Sequence, residues 1–349
     1  MLPTVEPFSI FISLLRRIGK YPMALVSEPI IVNAGERQYE LVKDWGQLPS
    51  GWTWGQVGAV AVDSEDNVHA FTRAAHPYLV FDTSGKLLDA WGDGIFEDAH
   101  GLCITADDTL YFVDREPQVV LKFDRTGRHR LTLGKRHVPS DTGYEPETRE
   151  PAGPLASGGG MPVRTGVRHA AGPFNHPTDV SVGPAGEIYV SDGYRNSRVH
   201  KYAPDGTLLH SWGQPGSARD LRNTRDQPGY FHTVHSVWEH AGRVYVADRE
   251  NNRIQIFTPD GEFLDMWTGF ERPTKLYVGA DNVMYVAELE DRVSIVDLEG
   301  NVIGRFGSER SHDPGKFWGP HGIWTDSVGD LYVAEVLEGA RLQKFARRK

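Results

Sequence analysis

The chain has 349 residues and a formal net charge of −10, from 37 basic and 47 acidic side chains. The two signs are mixed along the chain, and no basic stripe with interleaved aromatic residues occurs, so we expect no nucleic-acid partner. The single cysteine excludes an intrachain disulfide, which fits a reducing cytosol and predicts a cytoplasmic protein.

Residues 1–38 precede the main sequence pattern and are predicted to form an N-terminal arm, in part disordered. The apolar run at 8–15 is followed, not preceded, by two arginines, which is the wrong order for a secretory signal. The run is also too short to span a bilayer, so we expect no stable membrane insertion. Met23 is an alternative to Met1 as the translation start.

Between residues 39 and 346 a pattern with a period of roughly 35–45 residues recurs six times. Each copy contains short runs rich in Val, Ile, Tyr and Phe, separated by turns such as Asp205-Gly206 and Asp260-Gly261. Four such runs per copy, repeated at this period, are typical of propeller blades. The sequence therefore predicts an all-β, six-bladed β-propeller over residues 39–346.

The sixth copy lacks its fourth strand, and a segment with that strand's pattern stands before the first copy, at residues 39–46. We predict that this N-terminal strand pairs with the last blade and closes the ring, because closure protects the edges of an open array.

One insertion, at residues 135–175, interrupts the blade rhythm and is rich in Gly and Pro. A loop of this length in a compact domain is usually functional or disordered. A lid over one propeller face and a disordered surface loop are both compatible with the sequence.

Three histidines stand at the start of the first strand in the second, fourth and sixth copies: His100, His235 and His321. Because the first strand of each propeller blade lines the central channel, we expect these imidazoles to converge on the axis. Three imidazoles with an open position are the arrangement of a catalytic Zn²⁺, and Fe or Co can use the same ligands. The alternative is that hydrogen bonds alone hold each histidine. His176 and His232, on loops entering the ring, are weaker candidates.

The second strands end near the same mouth, and four polar residues follow them: Arg73, Arg115, Tyr194 and Arg249. Guanidinium groups beside a metal indicate a small-molecule or peptide substrate with a carboxylate. The Tyr194 phenol can serve as base or acid if a nearby cation lowers its pKa. The alternative is that the arginines pair with acids beside them. Those acids are Asp114, Glu116, Asp248 and Glu250.

The Asp-Gly turns and the repeated Tyr-Val-Ala-Asp pattern resemble NHL-repeat propellers. Residues 177–180, 189–198 and 246–255 are similar to the peptidyl-α-hydroxyglycine α-amidating lyases, and the resemblance spans about residues 55–346. It implies a zinc-dependent carbon–nitrogen lyase that splits a peptidyl-α-hydroxyglycine into a peptide amide and glyoxylate.

The family's functional residues match this chain in residue type. Its three zinc-binding histidines fall on the three named above, its catalytic tyrosine on Tyr194, and its active-site arginines on Arg73 and Arg249. The resemblance implies that the metal binds the substrate hydroxyl, that Tyr194 takes the hydroxyl proton, and that the arginines orient the substrate carboxylate. Arg115 has no counterpart in the family pattern and is predicted to add to substrate binding.

Two departures from the family concern the last histidine. The family has Met-Pro-His-Asp where this chain has Gly319-Pro320-His321-Gly322. The missing acid belongs to a structural calcium site in the family, so a structural calcium is in doubt here. The missing Met lines the family's pocket, which puts the pocket shape in question.

Two other functions fit the same residues. One is a metal-dependent hydrolase of a lactone, ester or amide, which differs from a lyase because its product incorporates solvent oxygen. The other is a non-catalytic NHL propeller that binds a protein or peptide and contains no stoichiometric metal.

Overall fold

The computed structural model describes residues 28–145, 166–216 and 227–349. In these three ranges the chain is all-β, with a single turn of 3₁₀ helix at Arg249–Asn251. Nowhere in the described part does a helix reach the length and hydrophobicity that crossing a bilayer requires.

The strands form six antiparallel blades, each running from an inner to an outer strand. Two strands, β1 (Ile31–Ala34) and β2 (Arg37–Val42), precede the first blade. Blade 1 contains β3 (Val57–Val62), β4 (Val68–Thr72), β5 (Tyr78–Phe81) and β6 (Leu87–Trp91). Blade 2 contains β7 (Ala99–Ile104), β8 (Leu110–Asp114), β9 (Val119–Phe123) and β10 (His129–Gly134). Blade 3 contains β11 (Pro177–Val182), β12 (Ile188–Asp192), β13 (Arg198–Tyr202) and β14 (Leu208–Trp212).

A short parallel pair, β15 (Gln214–Pro215) and β16 (Tyr230–Phe231), joins blades 3 and 4. Blade 4 contains β17 (Val234–His240), β18 (Arg243–Asp248), β19 (Arg253–Phe257) and β20 (Phe263–Thr268). Blade 5 contains β21 (Pro273–Val278), β22 (Met284–Glu288), β23 (Arg292–Val296) and β24 (Val302–Gly307). Blade 6 contains β25 (Pro320–Thr325), β26 (Leu331–Glu335) and β27 (Leu342–Arg348). The predicted six-bladed propeller is therefore confirmed.

The ring is closed by the N-terminal strand, as predicted: β2 pairs antiparallel with β27, with Leu41 opposite Phe345. The last blade also has a fifth, outermost strand, because β1 pairs with β2 through a hairpin at Gly35, where φ is +64°. Residues 31–34, which the sequence predicts as part of the N-terminal arm, form this outermost strand. Residues 1–27 of that arm lie outside the described residues.

Aromatic side chains fill the space between neighbouring blades. Phe71 and Tyr78 of blade 1 meet Phe112 of blade 2 edge to face, with ring centroids 5.1 and 5.0 Å apart. All three rings are almost completely buried. Because such edge-to-face pairs add to the stabilisation from buried area, these contacts lock adjacent blades together.

The second strand of blades 2 to 6 ends in a buried acid that fixes the loop entering the same blade. These acids are Asp114, Asp192, Asp248, Glu288 and Glu335. Asp248, for example, accepts the backbone N–H of His232 at 2.7 Å. In blade 1 the hydroxyl of Thr72 donates instead to the carbonyl of Trp54. Because an unpaired buried N–H is costly, this repeated contact holds the loops at one mouth of the channel in place.

Every inner strand has a β-bulge at the same point, where one residue has no partner on the second strand. The bulged residues are Gly58, His100, Thr178, His235, Thr274 and His321. A bulge bends the strand and re-aims a side chain. The repeated bulge is therefore the backbone feature that turns these six positions toward the axis.

Candidate metal centre

The three predicted histidines meet in the channel. The ring centroid of His100 lies 5.0 Å from that of His235 and 4.8 Å from that of His321, and the last two are 4.7 Å apart. One nitrogen from each ring lies within 4.8 Å of the others, and all three rings are buried. Among the described residues, these three histidines are the side chains whose arrangement could hold a metal ion.

Each imidazole donates its Nδ1–H to the carbonyl of the bulged residue in the next blade, at 2.6 to 2.7 Å. The pairs are His100 with Thr178, His235 with Thr274, and His321 with Gly58. Because a carbonyl only accepts, the proton lies on Nδ1 and the Nε2 lone pair is left for a ligand. A hydrogen bond at the second nitrogen is what fixes the tautomer of metal-binding histidines.

The two bulged threonines also hold the next histidine's strand. The hydroxyl of Thr178 lies 2.9 Å from the carbonyl of Val234, and that of Thr274 lies 2.9 Å from the carbonyl of Pro320. Each acceptor directly precedes a histidine of the cluster. Each threonine therefore orients one imidazole with its carbonyl and supports the next one with its hydroxyl.

Blade 1 is linked to the next blade by a different residue. A Cβ at Gly58 would lie 2.6 Å from the carbonyl oxygen of Ala99, so a side chain does not fit there. The Nε of Arg73 donates to that carbonyl instead, at 3.1 Å. Polar contacts of the same kind therefore link all six blades around the channel.

Burial is the largest influence on the three imidazoles, and together with the neighbouring positive charges it holds their pKa well below the ordinary value. They are therefore neutral near pH 7, which is the form that binds a metal. Three neutral imidazole nitrogens suit Zn²⁺, and also Fe or Co. They do not suit Ca²⁺, which takes oxygen ligands, and Gly322 beside them offers no carboxylate.

The phenol of Tyr194 lies among the histidines. Its oxygen is 3.2 Å from Nε2 of His100 and 3.1 Å from Nε2 of His235. Arg249 donates from a terminal guanidinium nitrogen to the same oxygen at 3.2 Å. The phenol therefore stands at the point where a metal, a substrate and a positive charge can all reach it.

The charge around Tyr194 favours its ionised form. Burial by itself raises the pKa of this phenol, but the positive charges of Arg249, Arg115 and Arg73 outweigh burial and lower the pKa below its ordinary value. The guanidinium carbons of Arg115 and Arg249 also lie 4.9 and 5.2 Å from the ring centroid. These contacts make Tyr194 suited to proton transfer.

The predicted arginines do face the site, and their acidic partners were predicted only in part. Arg249 pairs with Glu250 at 2.8 Å, as the alternative interpretation had it. Arg73 and Arg115 instead share Asp98, at 3.2 and 2.6 Å. Asp98 was not predicted from the sequence, although its position two residues before a cluster histidine places it at the same mouth.

The other candidate histidines lie outside the cluster. The side chain of His176 faces Glu116 at 3.5 Å, and its carbonyl lies 3.5 Å from the backbone nitrogen of Tyr194. His232 contributes its backbone N–H to a buried acid, as described above. Neither belongs to the group of described residues that could hold a metal ion.

The described ends of the 135–175 insertion dock beside the site. The Thr142 hydroxyl donates to the carbonyl of Arg195 at 2.6 Å, next to Tyr194, and Asn175 donates to the carbonyl of Ser140 at 3.0 Å. The choice between a lid and a disordered loop concerns residues 146–165, which lie outside the described residues.

Comparison with known proteins finds NHL repeats in this chain. The NHL repeat family model matches residues 174–202 and 241–257. NHL repeat-containing protein 3 of Homo sapiens is 31% identical over 322 residues, which cover 88% of this chain and 84% of that protein. Peptidyl-alpha-hydroxyglycine alpha-amidating lyase 2 of Drosophila melanogaster is 24% identical over 369 residues, covering 96% and 79%.

The peptidylglycine alpha-amidating monooxygenase of Rattus norvegicus is 31% identical over 235 residues, covering 59% of this chain. This chain spans only 21% of the rat protein's length. Among solved structures, a gluconolactonase from Xanthomonas campestris has a TM-score of 0.59 at 14% identity, covering 92% of this chain and 95% of the other. That likeness shows the propeller fold alone.

Proposed function

Since this chain belongs to the NHL-repeat family, together with human NHL repeat-containing protein 3, we propose that its three-histidine centre serves a carbon–nitrogen lyase reaction. The proposed substrate is an N-acyl-α-hydroxyglycine, either a small molecule or a peptide, and the products are an amide and glyoxylate or a related oxo acid. Relatives that bear the amidating-lyase name support this choice.

One observation supports the proposal above the others: the phenol of Tyr194 is within hydrogen-bond reach of His100, His235 and Arg249 at once. A binding scaffold has no need to bury a phenol with a lowered pKa beside three converging imidazoles. A lyase needs this combination, because its substrate hydroxyl must be bound and deprotonated in one place.

The metal would be held by Nε2 of His100, His235 and His321, and when bound it supplies a Lewis acid that polarises the substrate oxygen. Tyr194 accepts the proton of the substrate hydroxyl. As the hydroxyl carbon becomes a carbonyl, the C–N bond breaks and its electron pair goes to the amide nitrogen. Tyr194 then returns the proton to that nitrogen, so atoms and charge balance with no external reactant.

The arginines recognise the acid group of the substrate. Arg73, Arg115 and Arg249 surround the phenol, and within the described residues Asp98 and Glu250 are the acids that pair directly with them. Glu250 is also shared with Arg272 at 2.8 Å. The mouth therefore keeps an excess of positive charge, which suits a carboxylate because guanidinium groups bind it as a planar fork.

The test uses purified protein, loaded with zinc or treated with a chelator, and N-benzoyl-α-hydroxyglycine as the probe. We expect the zinc-loaded protein to release benzamide and glyoxylate in equal amounts, and the chelated protein to lose this activity until zinc is restored. The same reaction in ¹⁸O-labelled water separates lyase from hydrolase chemistry. Benzoate carrying the label would indicate hydrolysis, and no release of either product at any metal loading would contradict the proposal.

A further inference from the structure

A buried ion pair links the inner strands of blades 3 and 5, one residue beyond their bulged threonines. Both carboxylate oxygens of Asp179, in blade 3, lie 2.8 Å from Nζ of Lys275, in blade 5. The two side chains are only 3% and 4% exposed. Ser236 of blade 4 donates its hydroxyl to Asp179 at 2.6 Å and accepts the N–H of Leu276 at 3.1 Å. The pair therefore ties three consecutive blades together inside the channel.

Asp179, Ser236 and Lys275 each directly follow a bulged residue. Asp179 follows Thr178, and Lys275 follows Thr274, the two residues whose carbonyls orient cluster histidines. In the neighbouring blade 2, Gly101 leaves room for this arrangement, because a Cβ there would lie 2.7 Å from the carbonyl oxygen of Thr178 and 3.0 Å from a carboxylate oxygen of Asp179. A shift of either charged residue would move the neighbouring threonine carbonyl, and with it an imidazole.

Stability alone does not explain the pair. Burying two charges costs so much hydration that apolar residues of similar volume are often equally stabilising or more so. What an ion pair provides and an apolar contact does not is direction, since two oxygens and one ammonium fix the distance between blades 3 and 5. That distance also sets the spacing of the Thr178 and Thr274 carbonyls.

We propose that Asp179 and Lys275 are positioning residues for the metal centre, which hold His100 and His235 in ligand geometry through Thr178 and Thr274. The inference rests on the metal site of the proposed function but not on its substrate. Loss of partners that orient metal-binding histidines typically lowers metal affinity about 10- to 100-fold. We expect an effect in that range here.

The experiment replaces both charges together, as Asp179→Leu with Lys275→Met, so that no unpaired charge stays buried. Its matched control is Asp330→Leu with Lys344→Met in blade 6. Lys344 and Asp330 are 3.0 Å apart and also largely buried, and Lys344 lies 5.3 Å from the Tyr332 ring centroid much as Lys275 lies 5.6 Å from that of Trp238. The Kd for zinc is measured by chelator competition, and the visible spectrum of the Co²⁺-loaded protein reports ligand geometry.

We expect the channel variant to unfold cooperatively with near-native stability. It should bind zinc about 10- to 100-fold more weakly, the range for losing partners that orient metal-binding histidines, and show a shifted Co²⁺ spectrum. The control should keep the wild-type Kd and spectrum. A folded channel variant with the wild-type Kd and spectrum would overturn the inference. If that variant does not fold, Asp179→Asn with Lys275→Gln takes its place, since it removes both charges but keeps polar side chains, and an unchanged Kd and spectrum in it would have the same meaning. Wild-type protein that binds no metal would overturn both this inference and the metal site, whereas metal binding without glyoxylate release would overturn only the lyase proposal.

Discussion

Replacing Tyr194 with Phe removes one oxygen and little else. The ring stays between the guanidinium groups of Arg115 and Arg249, whose carbons lie 4.9 and 5.2 Å from its centroid. The three lost contacts are those to the Nε2 atoms of two histidines and to Arg249, all between 3.1 and 3.2 Å. We therefore expect the variant to fold and to keep its metal.

The expected loss is in the chemical step. A positioned general acid or base contributes about 10²- to 10⁴-fold to the rate, which corresponds to about 2.7–5.4 kcal/mol of activation free energy. Because the phenol does not supply the carboxylate-binding charge, most of the loss should appear in kcat and little in KM. The assay is glyoxylate release from N-benzoyl-α-hydroxyglycine, measured beside metal content.

The matched control is Tyr189→Phe, a buried tyrosine on β12 of the same blade. It lies near the start of that strand, whereas Tyr194 follows the strand's end. We expect Tyr189→Phe to leave kcat near the wild-type value, because the charged groups around its hydroxyl are Glu187, Glu239 and Asp260 and not those of the metal centre. Two results would refute the reasoning. One is a Tyr194→Phe enzyme with wild-type kcat, and the other is a variant whose activity is lost only because its metal is lost.

Three further predictions concern the metal, the substrate charge and acid stability. Zinc at 100 times its Kd should raise the free energy of unfolding by about 2.7 kcal/mol, measured by urea denaturation, and His235→Ala should abolish that increase. Arg115→Gln should raise KM for the carboxylate substrate about tenfold, the cost of one charge-assisted hydrogen bond. Because the Arg115 charge also helps to lower the pKa of Tyr194, kcat should fall as well, but by less than KM rises; an unchanged KM would contradict a binding role. Burial, with Arg195 and Arg115, lowers the pKa of His176 to about 3. The unfolded chain therefore takes up a proton below about pH 6.5 that the folded state refuses, and stability falls by about 1.4 kcal/mol per pH unit toward pH 3. His176→Asn should remove the His176 contribution to this pH dependence. The measurement is the free energy of unfolding by urea at pH 7 and at pH 5, and an unchanged difference between the two would show that His176 does not contribute.

The repeat made most of the fold predictable from the sequence. Six copies, a missing fourth strand and a matching segment before the first copy fix both the number of blades and the way the ring closes. The strand at Ile31–Ala34 escaped prediction because it is a fifth strand added outside the repeat. Periodicity cannot show an element that occurs once.

The histidine cluster was predictable for the same reason. Residues at one phase of the repeat lie at one height around the axis, so alternate copies place His100, His235 and His321 together. Partners of unlike chemistry carry a weaker signal, because an acid and a base do not stand out as three identical residues at one phase do. Asp179 and Lys275 are 96 residues apart, and Asp98 contacts its arginines from a loop. Only the folded distances between side chains identify them.

The alternation around the ring follows from what each position must supply. The rings of the three histidines already lie 4.7–5.0 Å apart, so six imidazoles at this height would collide. Each imidazole also needs a carbonyl acceptor in the next blade, from a residue whose own side chain leaves the axis clear. Gly58, Thr178 and Thr274 meet that need, and the two threonines add a hydroxyl that supports the following strand. The small residues are therefore as much a part of the centre as the histidines, since they set which nitrogen of each ring faces the axis.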